Sequence, residues 1–151
     1  MAMQTYIYCC KGKPYLYKGE NGRYYLSEKK EKKEALNGKI VATFLLTKIE
    51  KMGLDSNKGL VFEGMYNKES CLTLTEIAKY VGDNYYYAWP IKELKILEEA
   101  KDILYSAPQS WCYIWTDEDH KSILISIKPK WVEKILNGEK TIEIRKTRPD
   151  L

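Results

Sequence analysis

The chain has 151 residues, of which 44% are hydrophobic and 30% charged, enough for one continuous core and too few for two full domains. Its formal net charge of +4 comes wholly from residues 121–151, with 8 Lys/Arg against 4 Asp/Glu, since residues 1–120 hold 17 of each. That is far short of a dedicated non-specific DNA binder, but a localised basic element suits a polyanionic partner better than an evenly basic chain does. No stretch is long and apolar enough for a membrane span, and no basic and apolar leader opens the sequence, so a cytoplasmic, reducing setting is expected. The four cysteines form no C-x-x-C pair and have only His120 to join them, which argues against structural zinc; no metal and no cofactor are expected.

Thr5 to Cys10 alternates as a strand does. Pro14 to Leu26 reads as a hairpin turning at Glu20-Asn21-Gly22, and tyrosines cluster in it. The run Lys29 to Glu34 predicts a solvated loop or helical face, and Lys39 to Glu50 a long β-branched central strand. Leu54 to Lys68 predicts an irregular connection. Thr73 and Glu76 have capping-box spacing ahead of Ile77, Ala78, Tyr80 and Val81, so a short helix is expected, ended by Gly82-Asp83-Asn84.

Tyr85 to Leu97 predicts a strand that Pro90 confines to an edge or bulge, followed by a short helical turn over 98–106. Ser110 to Trp115 is a compact aromatic strand, and the acidic stretch that follows it reads as a linker, centred on 117–120. Lys121 to Lys128 is the next strand. Pro129 then suits the first position of a helix carrying the i, i+4 pairs Trp131/Ile135 and Val132/Leu136, with Gly138 at its C-terminal end. Lys140 to Lys146 closes the chain as a strand, and many strands with two or three short helices fit a mixed barrel better than a sandwich, a bundle or a parallel α/β sheet.

On that last strand Thr141, Glu143 and Arg145 share one face and Ile142 and Ile144 the other, which predicts that the apolar pair packs inward. Lys140 at the preceding turn and Lys128 at the end of the preceding strand complete a mixed-charge cluster. Glutamate accepts from exocyclic amines and arginine forks onto oxygen pairs, so such a cluster suits both the base edge and the phosphate of a nucleotide. From the residues alone, the same alternation also describes a solvent face with paired surface charges.

The string ILISIKPKWVEKILNGEKTIEIRK resembles the signature of the ASCH family, in which an I-K-P element, a helix and G-x-K-x-x-E-x-R follow in this spacing. Looser similarity to phage and Firmicute members extends over Tyr6 to Lys18, Gly38 to Ile49, Leu72 to Tyr80, Tyr87 to Ile91 and Pro108 to Tyr113. The resemblance implies an α+β fold, a PUA-like mixed β-barrel of about five to seven strands with two or three short helices, as one domain spanning 1–151. In the family these elements normally open the domain, whereas here they close it. Circular permutation, with 117–120 joining the old ends and the new termini adjacent, accounts for this; a swapped dimer is the rival to a monomer.

The resemblance further implies a pocket lined by Lys128, Lys140, Glu143 and Arg145, near Ser110, with Trp89 and Tyr113 as candidate stacking surfaces for a base. For Trp89 and Trp111, core packing is the competing expectation. The implied partner is RNA or a modified nucleoside or nucleotide. Some small family members are amidohydrolases that remove the acetyl group of N4-acetylcytidine with a lysine, a threonine and a glutamate. Lys140 matches the lysine; Glu143 stands where the threonine would be, and Glu69 is the nearest carboxylate to the glutamate, with Ser70 at the equivalent place. Glu143 beside Lys140 would keep that lysine charged, the opposite of what an activated amine needs. A binding module is therefore the first expectation, with an amidohydrolase or ribonuclease second and a permuted scaffold without retained activity third.

Overall fold

A computed structural model of the chain describes residues 2–55, 59–60, 67–82, 85–117 and 120–151. The first half comprises β1 (Met3–Cys9), β2 (Tyr15–Lys18), β3 (Tyr24–Ser27), β4 (Lys39–Leu46), β5 (Glu50–Met52), β6 (Leu54–Asp55), β7 (Gly59–Leu60) and the single turn α1 (Asn67–Ser70). The second half comprises α2 (Leu74–Val81), β8 (Tyr86–Pro90), β9 (Lys92–Lys101), β10 (Trp111–Asp117), β11 (His120–Ile127), α3 (Pro129–Leu136) and β12 (Ile142–Arg145).

Among the described residues these strands form open sheets, not the expected closed barrel. The largest sheet runs β10-β11-β1-β4-β9, with β1 and β11 parallel and the other neighbours antiparallel. A second sheet runs β12-β8-β5, and β2-β3 and β6-β7 are two-stranded. A barrel requires every strand to be paired on both sides. Here β9 and β10 remain edges among the described residues. The segment expected as one strand over 85–97 is divided at Ile91: β8 joins the three-stranded sheet and β9 the edge of the five-stranded one. Strand β9 continues to Lys101, where a helical turn was expected. Its sequence KELKILEEAK is mostly exposed and charged, and Glu93 takes φ 51° near a register shift against β4. Charges and irregular register of this kind blunt a sheet edge against further pairing. The fold is thus mixed α+β, with three short helices among the described residues.

Of the expected linker, Asp117 and His120 are opposite partners at the ends of β10 and β11, while 118 and 119 lie outside the described residues. Asp83 and Asn84, expected to end α2, also lie outside them; Gly82 is the C-cap, with φ 62°. A short β6-β7 ladder stands within the stretch expected to be irregular.

The main core gathers Ile7, Val41, Phe44, Ile123, Ile125 and Ile127 of the five-stranded sheet with Trp89 of β8 and Val132 and Ile135 of α3. Met3 and Leu151 both pack against it. The other face of the three-stranded sheet, Tyr86, Ala88, Ile142 and Ile144, packs with Met52 against Ile77 and Val81 of α2. Consequently β12 is covered on both sides, and all four of its residues are buried.

Two asparagines pin the β2-β3 hairpin to this body. Asn37 Oδ1 accepts from Leu16 N at 2.8 Å and its Nδ2 donates to the carbonyls of Gly12 and Pro14. Asn137, the C-cap of α3, accepts from Tyr24 N and donates to Tyr24 O, each at 2.9 Å. One residue therefore both ends the helix and fixes β3. Gly138 follows with φ 80°, a left-handed conformation that glycine adopts without strain, and turns the chain toward β12.

Candidate functional site

A cavity of ≈ 560 Å³ opens between α2, the N-terminal end of α3, the end of β11 and β12. Its size is within the range of small-molecule sites. The turn after α3 sets its floor: Glu139 N and Lys140 N both donate to Lys134 O, which directs the Lys140 side chain back into the protein. Lys140 is 2% exposed. Its Nζ donates to Ser70 O, lies 3.3 Å from Glu143 Oε1 and sits 5.1 Å from the centre of the Trp131 ring.

From β12, Glu143 and Arg145 lie on the face opposite Ile142 and Ile144, as alternation requires, but that face is buried and the solvent-face alternative fails. Arg145 donates from Nε and NH2 to Glu143 Oε2 at 2.8 and 2.6 Å. Its NH2 also reaches Ser126 O at 2.7 Å, and its NH1 reaches Ser110 Oγ at 3.2 Å. Burial by itself would push the Glu143 carboxyl up, but the Arg145 guanidinium and the Lys140 ammonium outweigh it and hold it below the usual carboxylate value. Lys140, Glu143 and Arg145 thus form one buried, mutually satisfied ionic cluster.

The pH dependence of stability follows from that direction. A carboxylate whose folded pKa is depressed contributes stability that is complete above its unfolded value and is lost as pH falls through the folded one. Urea unfolding as a function of pH should therefore show wild-type stability declining below about pH 4.5, the ordinary glutamate value. Glu143→Gln should have a shallower acid limb. Parallel acid limbs would mean that Glu143 is not held ionised in the fold.

The cluster brings together three of the residues expected from the sequence, and Lys128 and Ser110 also line the cavity. Glu69, Trp89 and Tyr113 do not. Glu69 contributes its carbonyl, which accepts from Thr141 N at 2.7 Å. Trp89 is fully buried and packs edge-on to Trp111. The Tyr113 hydroxyl accepts from Asp150 N, and Lys121 Nζ sits 3.7 Å from the centre of its ring.

Other lining residues were not singled out by sequence. Glu76, Lys79 and Tyr80 of α2 form one wall, and Trp131 of α3 another. The first three occupy i, i+3 and i+4 of a helix whose adjoining face carries Ile77 and Val81, so they share one side that begins at the edge of the apolar stripe. Glu76 closes the expected capping box: its Oε1 accepts from Thr73 N, and Thr73 Oγ1 accepts from Glu76 N, both at 3.1 Å. The Thr73 amide, with Lys130 and Lys140 nearby, lowers the Glu76 carboxyl. Burial raises the Cys10 thiol at the rim, against the opposing pull of Arg145 and Lys128.

Among the described residues no helix is long and apolar enough to cross a membrane. No protein-family model matches the chain, and no curated protein or solved structure matches it.

Proposed function

We propose that this cavity binds RNA or a modified nucleoside or nucleotide, with one base inside. The observation that carries the reading is the buried Lys140–Glu143–Arg145 cluster that lines the cavity. Buried ion clusters are commonly no more stable than apolar packing of the same volume, so stability alone is a poor reason to keep one. Perturbed ionisable groups in a cleft are instead a frequent mark of a binding or catalytic site. Trp131 and Tyr80 supply aromatic surface of the kind on which unpaired bases stack. Membership of the ASCH family is part of this proposal, since the run from Ser122 to Lys146 provides Lys128, Trp131, Lys140, Glu143 and Arg145 of the lining.

Thermal-shift measurements over nucleosides, nucleotides and short RNAs test it. A ligand at a hundred times its Kd stabilises a fold by about 2.7 kcal/mol, a shift that is readily measured. The shift should be lost in Tyr80→Ala, which removes a wall and leaves the charge cluster intact. Absence of a shift across the whole panel would exclude the reading.

The adjacency of Lys140 and Glu143 within the cavity favours a hydrolytic reading second. Against it, both Glu143 oxygens are occupied by Lys140 and Arg145, and Glu69 is outside the cavity. Prolonged incubation with N4-acetylcytidine, followed by chromatography, distinguishes the two: release of cytidine and acetate would establish the amidase.

A further inference from the structure

The polar groups of the cavity are unequally committed, and this specifies what the ligand carries. Both carboxylates are already engaged, Glu143 by Lys140 and Arg145, and Glu76 by the Thr73 amide. The cations are engaged less. Among the described residues Lys128 and Lys79 have no carboxylate partner, and Arg145 NH1 meets only a serine hydroxyl. Four cationic side chains line the cavity against two carboxylates, so it has an excess of positive charge and of donors.

These donors concentrate at one end. Arg145 NH1 lies on Ser110 Oγ, whose own hydrogen is left to donate elsewhere, and Gln109 lines the cavity beside it. Arg145 NH2 reaches Ser126 O, two residues before Lys128 on the same chain. Lys128 and Arg145 both line the cavity, as does Cys10. Lys128 is also the N-cap of α3, an eight-residue helix with no side-chain cap, so the positive end of the helix dipole lies at this wall. The aromatic side chains Trp131 and Tyr80 line other parts of the wall.

Resting on the nucleotide reading above, we infer that Lys128, Arg145, Ser110 and Gln109 form a phosphate subsite, so that the cavity selects a phosphorylated nucleotide over the bare nucleoside. Charge-assisted hydrogen bonds of this kind make the expected preference about tenfold or more.

Isothermal titration of the full chain with the four common nucleosides, N4-acetylcytidine and their 5′-monophosphates, and with one short RNA with and without a 5′-phosphate, tests the inference. The phosphorylated member of at least one pair should bind about tenfold more tightly at low salt, and the advantage should shrink as salt screens it. Which pair shows it identifies the source of the phosphate. Lys128→Ala should weaken the phosphorylated member about tenfold more than its unphosphorylated partner, which removes the advantage. The exposed Lys128 side chain makes no cap bond, so this variant is expected to fold normally, which circular dichroism checks. Equal binding within every pair, or an advantage that survives Lys128→Ala, overturns the phosphate subsite and leaves the nucleotide reading standing. No binding by any member of either set overturns both.

Discussion

Replacing Arg145 with alanine is expected to destabilise the fold by about 3–5 kcal/mol, the usual cost of breaking a buried ion pair from one side. Arg145 supplies two hydrogen bonds to Glu143 Oε2 and one to the carbonyl of Ser126, and its side chain is only 10% exposed. Its removal leaves a buried carboxylate neutralised by Lys140 alone and a backbone acceptor without its donor. The loss should be read from urea unfolding, with the m-value checked to show that the same surface is exposed. A loss under about 1 kcal/mol, typical of surface pairs, would mean that water reaches the cluster freely.

The informative companion is the triple replacement Lys140→Met, Glu143→Leu and Arg145→Met. Removing all three charges together strands none of them, and apolar substitutes of similar volume commonly equal or exceed a buried ionic cluster in stability. This variant should unfold near or above the wild-type midpoint and bind no ligand. Arg145→Ala alone confuses lost binding with lost folding; the triple variant separates them. A triple variant as unstable as Arg145→Ala would show that the cluster is a structural requirement of the fold.

What was legible in the sequence is what is decided locally. The Thr73–Glu76 capping box, the proline-initiated α3 and the Glu20-Asn21-Gly22 hairpin each depend on residues within a few positions of one another, and each is present. Sheet membership is decided elsewhere. Pro90 marks an irregularity beside Ile91, but not that β8 and β9 belong to different sheets; that depends on Ala88 finding Ile144 and Ile96 finding Ala42 far along the chain. Barrel closure was a non-local expectation, drawn from the count of strands and short helices and from resemblance, and the charged edge β9 does not provide a partner for it. In the site, spacing alone placed Glu143 and Arg145 on one face, but the cover that buries this face comes from β11 and the residues around Ser110. Tyr80 and Trp131 read as ordinary apolar positions of amphipathic helices, because nothing in a single helix tells which edge of its apolar stripe will border a cavity.

Trp89 tests that boundary between core and site most directly. It was a candidate surface for stacking a base, yet it is fully buried opposite Glu143 in the β8-β12 ladder and is not part of the cavity lining. Trp89→Ala should cost about 3–5 kcal/mol, because the main core would lose its largest buried side chain and retain part of the void. Trp89→Phe should cost markedly less. Phenylalanine fills much of the same space, and it eliminates an indole N–H that is buried without a hydrogen-bond partner among the described residues, a group whose desolvation costs about 1–3 kcal/mol. Ligand affinity, measured on Trp89→Phe at a temperature where it is fully folded, should match wild type, whereas Tyr80→Ala should weaken binding with little change in stability. If Trp89→Phe instead lost affinity while keeping its stability, the base would have to reach past the ionic cluster to the indole. The cavity floor would then lie one layer deeper than Lys140, Glu143 and Arg145 define it.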